Sequence, residues 1–384
     1  MTLGHPILQF GTSRFLQAHA DLFVSQAMDA GDALGGITVV QTTASGQSSA
    51  RTEALARGEG YEVRVRGLRD GATVDETLRC RSVKAALHAS RQWAIVRGEV
   101  ASGAVQVIVS NTGDSGWLLD SGDSASALAA AAQPPASFPA KLLVLLHDHW
   151  MAWQGRALSV LPCELVSRNG DALRDIVLRL ARQWDMPADF IEHLRSAVVW
   201  ANSLVDRIVS EALHPVGAVA EPYALWAIER QEGLVLPCRH PAIVLTDDLV
   251  RFERLKLHLL NLGHSWLAEL WLRAGEPSGF TVVQAMHDPA MRSELEAVWV
   301  EEVLPVFDDW GLGDEARQYL GVLRDRLLNP FLAHRLSDIA QSHAQKKQRR
   351  FGPVLAHAQA HLPQLAQVRL RNALDTSTQG TTVQ

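Results

Sequence analysis

The 384-residue sequence is short of several things, and each shortage removes a class of function. It has only three cysteines (Cys80, Cys163 and Cys238), an odd number, widely spaced and with no Cys-x-x-Cys pair. A disulfide framework and a thiolate-based zinc site are therefore not expected. No apolar run approaches the ~18 residues a membrane span requires. The first residues, Met-Thr-Leu-Gly-His-Pro, lack the charged segment and apolar run of a secretion signal, so a cytoplasmic location is expected. Basic excess is also missing. A net charge of −6 leaves no footprint for nucleic acid. The fifteen histidines are read as ordinary core and surface residues, and no metal site is expected. What remains is an unremarkable globular composition, 47% hydrophobic and 20% charged, long enough for two domains.

The most informative stretch is Arg251–Leu267, which reads as a single helix with Thr246, Asp247 and Asp248 as capping candidates. At α-helical geometry Lys256, Asn261 and His264 fall within an arc of roughly 140° and about 12 Å of axis. Leucines at 255, 257, 259, 260, 262 and 267 surround them, which predicts a buried helix. A lysine in such a setting is costly unless it is neutral or paired, and a desolvated lysine is suited to general acid–base work.

The N-terminal part reads as a nucleotide-binding unit. A strand at Ile7–Phe10, the turn Gly11-Thr12-Ser13, a helix over 14–28 and a strand at 37–42 make an opening βαβ element. The strand predicted over Val105–Val109 ends in Ser110-Asn111-Thr112, a polar strand end of the type that lines a cofactor crevice. Tyr61–Arg66 and Val74–Cys80 flank Asp70-Gly71 as a β-hairpin, and residues 84–99 read as helical. A helix over 138–153, a strand over 158–161, a helix over 172–184 and a last strand within 237–245 precede the central helix. The chain beyond Leu267 reads almost wholly as helix, with a disordered tail from 376.

Three separated motifs carry a resemblance: Phe10-Gly-Thr-Ser-Arg-Phe15, Val205-Asp-Arg-Ile208 and Lys256-x5-Asn261-x2-His264-Ser265. Together they resemble the long-chain, metal-independent polyol and hexuronate dehydrogenases, the family that includes mannitol 2-dehydrogenase and the fructuronate and tagaturonate reductases. Leu161-Pro-Cys-Glu-Leu-Val-Ser-Arg-Asn-Gly-Asp-Ala-Leu-Arg174 is similar to the hexuronate branch, whereas polyol members carry Cys-Asp-Asn where this chain has Cys163-Glu164-Leu165. Asn329-Pro-Phe-Leu-x-His334 and the segment from Asp338 to Lys346, Arg350 and Pro353 resemble the family's second signature.

The resemblance implies an α/β Rossmann-like domain with a hairpin extension over 1–245 and a mostly helical substrate domain over 246–375. It implies NAD or NADP, with NAD slightly preferred, held by Gly11, Ser13, Arg14, Phe15, Gln41, Thr42, Ser110, Asn111 and Thr112. No carboxylate stands at Gln41-Thr42-Thr43, and Arg51 lies nearby, which leaves NADP open. Lys256, Asn261 and His264 are implied as catalytic. Glu164, Asn169, Asn202, Asp206, His334 and Lys346 are implied at the substrate; a second oxyanion amide is expected either from Asn169 or Asn202 or to be absent. The expected substrate is an open-chain sugar acid of the tagaturonate/altronate or fructuronate/mannonate type. The alternatives are a sugar alcohol, or dinucleotide binding without turnover. Neither a membrane nor nucleic acid is an expected partner, and the protein is expected to be a monomer or small homo-oligomer. Relatives are also expected to continue for several helices past the point where this sequence stops.

Overall fold

A computed structural model describes residues 3–378 apart from 44–45, 114–115, 154–155 and 276. Short apolar runs with both faces buried make a six-stranded parallel sheet. Its strands are β1 (Ile7–Phe10), β2 (Ile37–Gln41), β5 (Val83–His88), β6 (Val107–Ser110), β7 (Leu158–Pro162) and β8 (Val198–Trp200), in the order β5-β2-β1-β6-β7-β8. β1 pairs in parallel with both β2 and β6, so the strand order reverses there. In open α/β sheets that reversal is where ligands bind, beyond the carboxyl ends of the strands. Helices Ala89–Ala101, Phe138–Ala152, Asn169–Gln183 and Ala188–Ser196 contribute to one apolar core with these strands, with Trp93, Phe138, Phe190 and Trp200 among its large side chains.

Two smaller sheets follow. β3 (Tyr61–Arg69) and β4 (Ala72–Cys80) form the hairpin and join β10 (Val209–Ala212) and β11 (Ala218–Ala220) in the order β10-β11-β3-β4. β9 (Ser203–Asp206), β12 (Leu225–Glu229) and β13 (Ile243–Thr246) form a three-stranded sheet with β12 central.

Several local expectations are corrected. Residues 84–88 are strand, not helix, because the alanine-rich segment pairs with β2. The long first helix is broken into Arg14–Gln17 and Ala20–Ala30, with His19 at φ −125° and ψ −97°. Arg207 donates to the Ala18 carbonyl at that break, giving the arginine of Val205–Ile208 a structural task. The strand within 237–245 is confined to Ile243–Thr246, and five further short strands, not expected from the sequence, lie within 198–229.

The chain divides into two compact units. One comprises Met1–Val65, Glu76–Ala220 and Ala224–Leu249; the other comprises Arg66–Asp75, Glu221–Tyr223 and Val250–Gln384. The second unit is helical around a core containing Trp266, Trp299, Phe307 and Phe351. Within it a buried ion pair joins Arg326 to Glu221 (2.8 and 2.9 Å), and the guanidinium lies 4.3 Å over the Tyr223 ring. The tail expected from 376 is helical through Thr378, and its remainder, 379–384, lies outside the described residues. No helix among the described residues is long and apolar enough to cross a membrane.

Candidate active site

In the first unit the site begins where β1 and β6 end. Gly11 has φ +112°, and a Cβ there would stand 2.4 Å from the Asn111 carbonyl oxygen, so only glycine fits. The Ser13 hydroxyl accepts from the Leu16 N–H (3.2 Å) and donates to Asn111 Oδ1 (3.1 Å). The Asn111 amide in turn donates to the Cys163 carbonyl (2.9 Å). On the other side, Glu164 receives the Ser110 hydroxyl (2.9 Å) and both the N–H (3.0 Å) and hydroxyl (3.1 Å) of Thr112. Burial raises its carboxyl pKa, and those hydrogen bonds pull it part of the way back. The strand end Ser110–Thr112 is thus laced between Ser13 and Glu164. Glu164, expected at the substrate, has its carboxylate turned to this strand end.

Arg14 is exposed, and Phe15 stacks on His19 with ring centroids 4.7 Å apart. Gln41 is tied down, donating to Thr43 and accepting from the Thr52 hydroxyl (2.6 Å), while Thr42 beside it is half-buried. Arg51 donates to the Thr12 carbonyl (2.7 Å); burial, and then the charge of Arg14, lower its pKa. A close-approach glycine and a hydroxyl-lined strand end at the reversal point fit a dinucleotide pyrophosphate. With the first helix only four residues long and the Ser13 hydroxyl proton given to Asn111, local backbone amides, rather than a long helix dipole, would meet it.

Asn169 and Asn202 do not supply a second oxyanion amide. The Asn169 amide donates to the carbonyls of Pro162 (2.9 Å), Glu164 (3.2 Å) and Ser203 (3.0 Å), and its oxygen accepts from Gly170 and Ser203. The Asn202 amide is taken by Asp171 (3.1 Å) and Glu229 (2.6 Å), and its oxygen by the Asp171 N–H. Both are fully buried, and every amide proton is committed to protein. They hold the loop between β7 and the following helix against β9. Asp206, the last residue of β9, is buried.

In the second unit the expected continuous α-helix is three segments: Val250–Leu255, a π-helical turn Lys256–Asn261, and an α-helix Leu262–Arg273. Val250–Leu255 has no buried residue, Lys256 and Asn261 are half-buried, and full burial starts at His258. The π turn pairs residues five apart, the separation of Lys256 and Asn261, so both are carried closer to one side than α-helical spacing allows. Three side chains brace it. The Trp299 indole donates to the Leu259 carbonyl (3.2 Å), and Arg350 donates to the Asn261 carbonyl (3.1 Å) and the Ser265 hydroxyl (2.7 Å). His258 Nδ1 returns a bond to the Arg350 carbonyl (2.8 Å). Trp299 reaches its place because position 263 is glycine: a Cβ there would be 2.7 Å from the indole.

His264 is buried and meets the His334 ring edge-on, centroids 4.9 Å apart. His334 Nδ1 is buried and finds no hydrogen-bond partner among the described residues. Burial lowers its pKa, the charge of Asp338 opposing and that of Lys346 assisting. Lys346 donates to the Ile339 carbonyl (2.9 Å), and burial followed by the charge of Arg350 lowers its pKa. Lys347 beside it is buried on Glu269 (2.7 Å). Within the run 346–350, Lys347 is buried, Lys346 and Arg350 are half-buried, and Gln348 and Arg349 are exposed. Arg350 and Trp299 were not singled out as functional in the sequence. For the first the signal was its place in the stretch resembling the family's second signature, and for the second there was none.

Comparison with known proteins gives the relatives of the chain. Residues 5–235 match the mannitol dehydrogenase Rossmann domain, and residues 248–371 match the mannitol dehydrogenase C-terminal domain. An altronate oxidoreductase of Halalkalibacterium halodurans is 30% identical over 369 residues, covering 90% of this chain and 69% of that one. Another, of Bacillus subtilis, is 29% identical over 385 residues, covering 93% and 76%. Among solved structures, a D-sorbitol dehydrogenase superposes with TM-score 0.74 at 19% identity, covering 92% of this chain and 76% of the other. Pseudomonas fluorescens mannitol 2-dehydrogenase, solved with NAD and D-mannitol, gives 0.73 at 20%, covering 97% and 79%. These two share the fold. The chain belongs to the mannitol dehydrogenase family and is a nicotinamide-dependent oxidoreductase.

Proposed function

We propose that the protein interconverts a secondary alcohol and a ketone on an open-chain sugar acid of the altronate/tagaturonate type, with NAD as the preferred dinucleotide. The observation that carries this reading is the braced π turn bearing Lys256 and Asn261, in a chain whose curated relatives include altronate oxidoreductases. Residues 1–245 would serve the dinucleotide and residues 246–375 the acid–base chemistry.

In the oxidative direction the Lys256 amine takes the proton of the reacting hydroxyl; in reduction its ammonium returns that proton. A bound nicotinamide supplies the hydride acceptor or donor. Asn261 donates an amide N–H to the oxygen as negative charge develops on it. The His264 ring hydrogen-bonds in the same region, held by its contact with His334. His334, whose Nδ1 has no hydrogen-bond partner among the described residues, would meet a substrate hydroxyl, Lys346 a hydroxyl or carboxylate, and Asp206 keeps the substrate role that the family resemblance implies. Arg350 and Trp299 act through the backbone as positioning residues. In the first unit Gly11, Ser13, Arg14, Phe15, Gln41, Thr42 and Ser110–Thr112 would hold the dinucleotide, and Glu164 supports them by orienting Ser110 and Thr112.

A panel of altronate, mannonate and mannitol with NAD and NADP, followed through the absorbance of the reduced dinucleotide, tests this. Turnover is expected to be fastest with altronate and NAD. Faster turnover of mannitol than of either acid would move the assignment to a sugar alcohol.

A further inference from the structure

We propose that Asp309, His357 and His361 form a binding site for a divalent transition-metal ion of the zinc class, separate from the acid–base residues. The expectation of ordinary histidines with no His-x3-His pair among them is wrong at His357-x3-His361, a spacing that sets two imidazoles on one face of the helix His343–His361. Their rings stack with centroids 4.3 Å apart, inclined by 19°. Asp309, the last residue of the helix Leu304–Asp309, completes the group, and one ligand atom from each residue lies within 4.8 Å of the others.

The hydrogen bonding already has the form of a chelate. His361 Nδ1 donates to the His357 carbonyl (3.2 Å), which leaves Nε2 with its lone pair outward. A backbone carbonyl on the far nitrogen is the usual outer support of a metal-bound histidine. His357 Nε2 shares a proton with Asp309 Oδ2 at 2.6 Å, and a divalent ion would take that proton's place. Ligands at ~2.0–2.1 Å in tetrahedral geometry stand about 3.3 Å apart, so small side-chain rotations close the site. Nitrogen and carboxylate donors without sulfur suit Zn²⁺, Co²⁺ or Ni²⁺ rather than Ca²⁺ or Mg²⁺. Two of the three residues are exposed, which leaves a fourth position for water. The ion would clamp the helix Leu304–Asp309 to the helix that carries Arg350.

The test is Zn²⁺ titration by calorimetry on untagged full-length protein, paired with melting curves with and without metal. The expected result is one equivalent bound and a raised melting temperature in Zn²⁺. His361→Ala and Asp309→Asn, each checked for an unchanged metal-free melting curve, should weaken binding by roughly tenfold or more. A visible Co²⁺ spectrum of the unsubstituted protein, expected to show intense tetrahedral bands, gives a reading that needs no variant. Absence of Zn²⁺ binding at 100 µM, or binding unaltered in both variants, would overturn the proposal.

Discussion

The Arg350 guanidinium donates to the backbone carbonyl of Asn261 across 3.1 Å, joining residues 89 positions apart in the chain. The same side chain holds the Ser265 hydroxyl at 2.7 Å, so one arginine grips the π turn at its end and the α-helix that follows. Both bonds leave one guanidinium nitrogen, so Arg350→Lys should retain the charge but lose the reach and the planar group that set that nitrogen in place. Misplacing the amide by about 1 Å is expected to cost roughly 10²-fold in kcat, with a much smaller change in KM. Steady-state kinetics check this; a change confined to KM would assign Arg350 to substrate binding instead.

Gly11→Ala addresses the dinucleotide side. The φ of +112° and the 2.4 Å approach to the Asn111 oxygen make any Cβ costly. A strain of about 1–3 kcal/mol, relieved by moving Asn111 away from Ser13, corresponds to roughly ten- to hundredfold weaker dinucleotide binding. Fluorescence titration with NADH measures it. Unchanged affinity would remove this turn from the cofactor site.

Glu164 separates an orienting role from a substrate-binding one. Glu164→Gln keeps an acceptor for Thr112, and the Ser110 hydroxyl can reverse to accept from the new amide, so dinucleotide affinity should change little. Glu164→Leu strands three donors and should cost about 1–3 kcal/mol per group left unpaired, with dinucleotide binding lost before the fold. Denaturant unfolding and NADH titration together check the pair. If Glu164→Gln instead raised KM for the sugar acid alone, the carboxylate would be a substrate ligand.

Asp21 gives a pH signature in the first unit. Burial raises its pKa from 3.8 to about 7, against the opposing hydrogen bonds of Tyr61 and Gln9. Between those values the unfolded chain has released the proton while the folded protein keeps it, so this group's contribution to stability falls as pH rises from about 4 to 7 and is flat above. Asp21→Asn removes the titration while the amide oxygen still accepts from Tyr61. It should stabilise the protein at pH 8 by up to about 4 kcal/mol and have little effect at pH 4. Urea unfolding at the two pH values tests the sign.

The parallel sheet was legible because Ile7–Phe10, Ile37–Gln41 and Val107–Ser110 are apolar runs that need cover on both faces. Val83–His88 was not, since its alanines suit a helix and only pairing with β2 decides otherwise. Strands of three to five residues between 198 and 229 are too short to carry a period. The spacing of Lys256, Asn261 and His264 singled them out as acid–base candidates, but the π turn that carries the first two was not legible. Leucine content is the same for either helix type, and the bracing side chains, Trp299 and Arg350, come from 40 and 89 positions away. Asn169 and Asn202 illustrate the opposite failure: an amide looks available in a sequence until its partners are counted.

Lys256→Met, which keeps the length and apolar stem of the side chain but has no amine, tests the central claim most directly. With altronate and NAD, kcat is expected to fall by about 10²- to 10⁴-fold while NADH affinity and the melting temperature stay close to those of the parent protein. A folded Lys256→Met protein that turned over at the parent rate would contradict the assignment of the proton-transfer group.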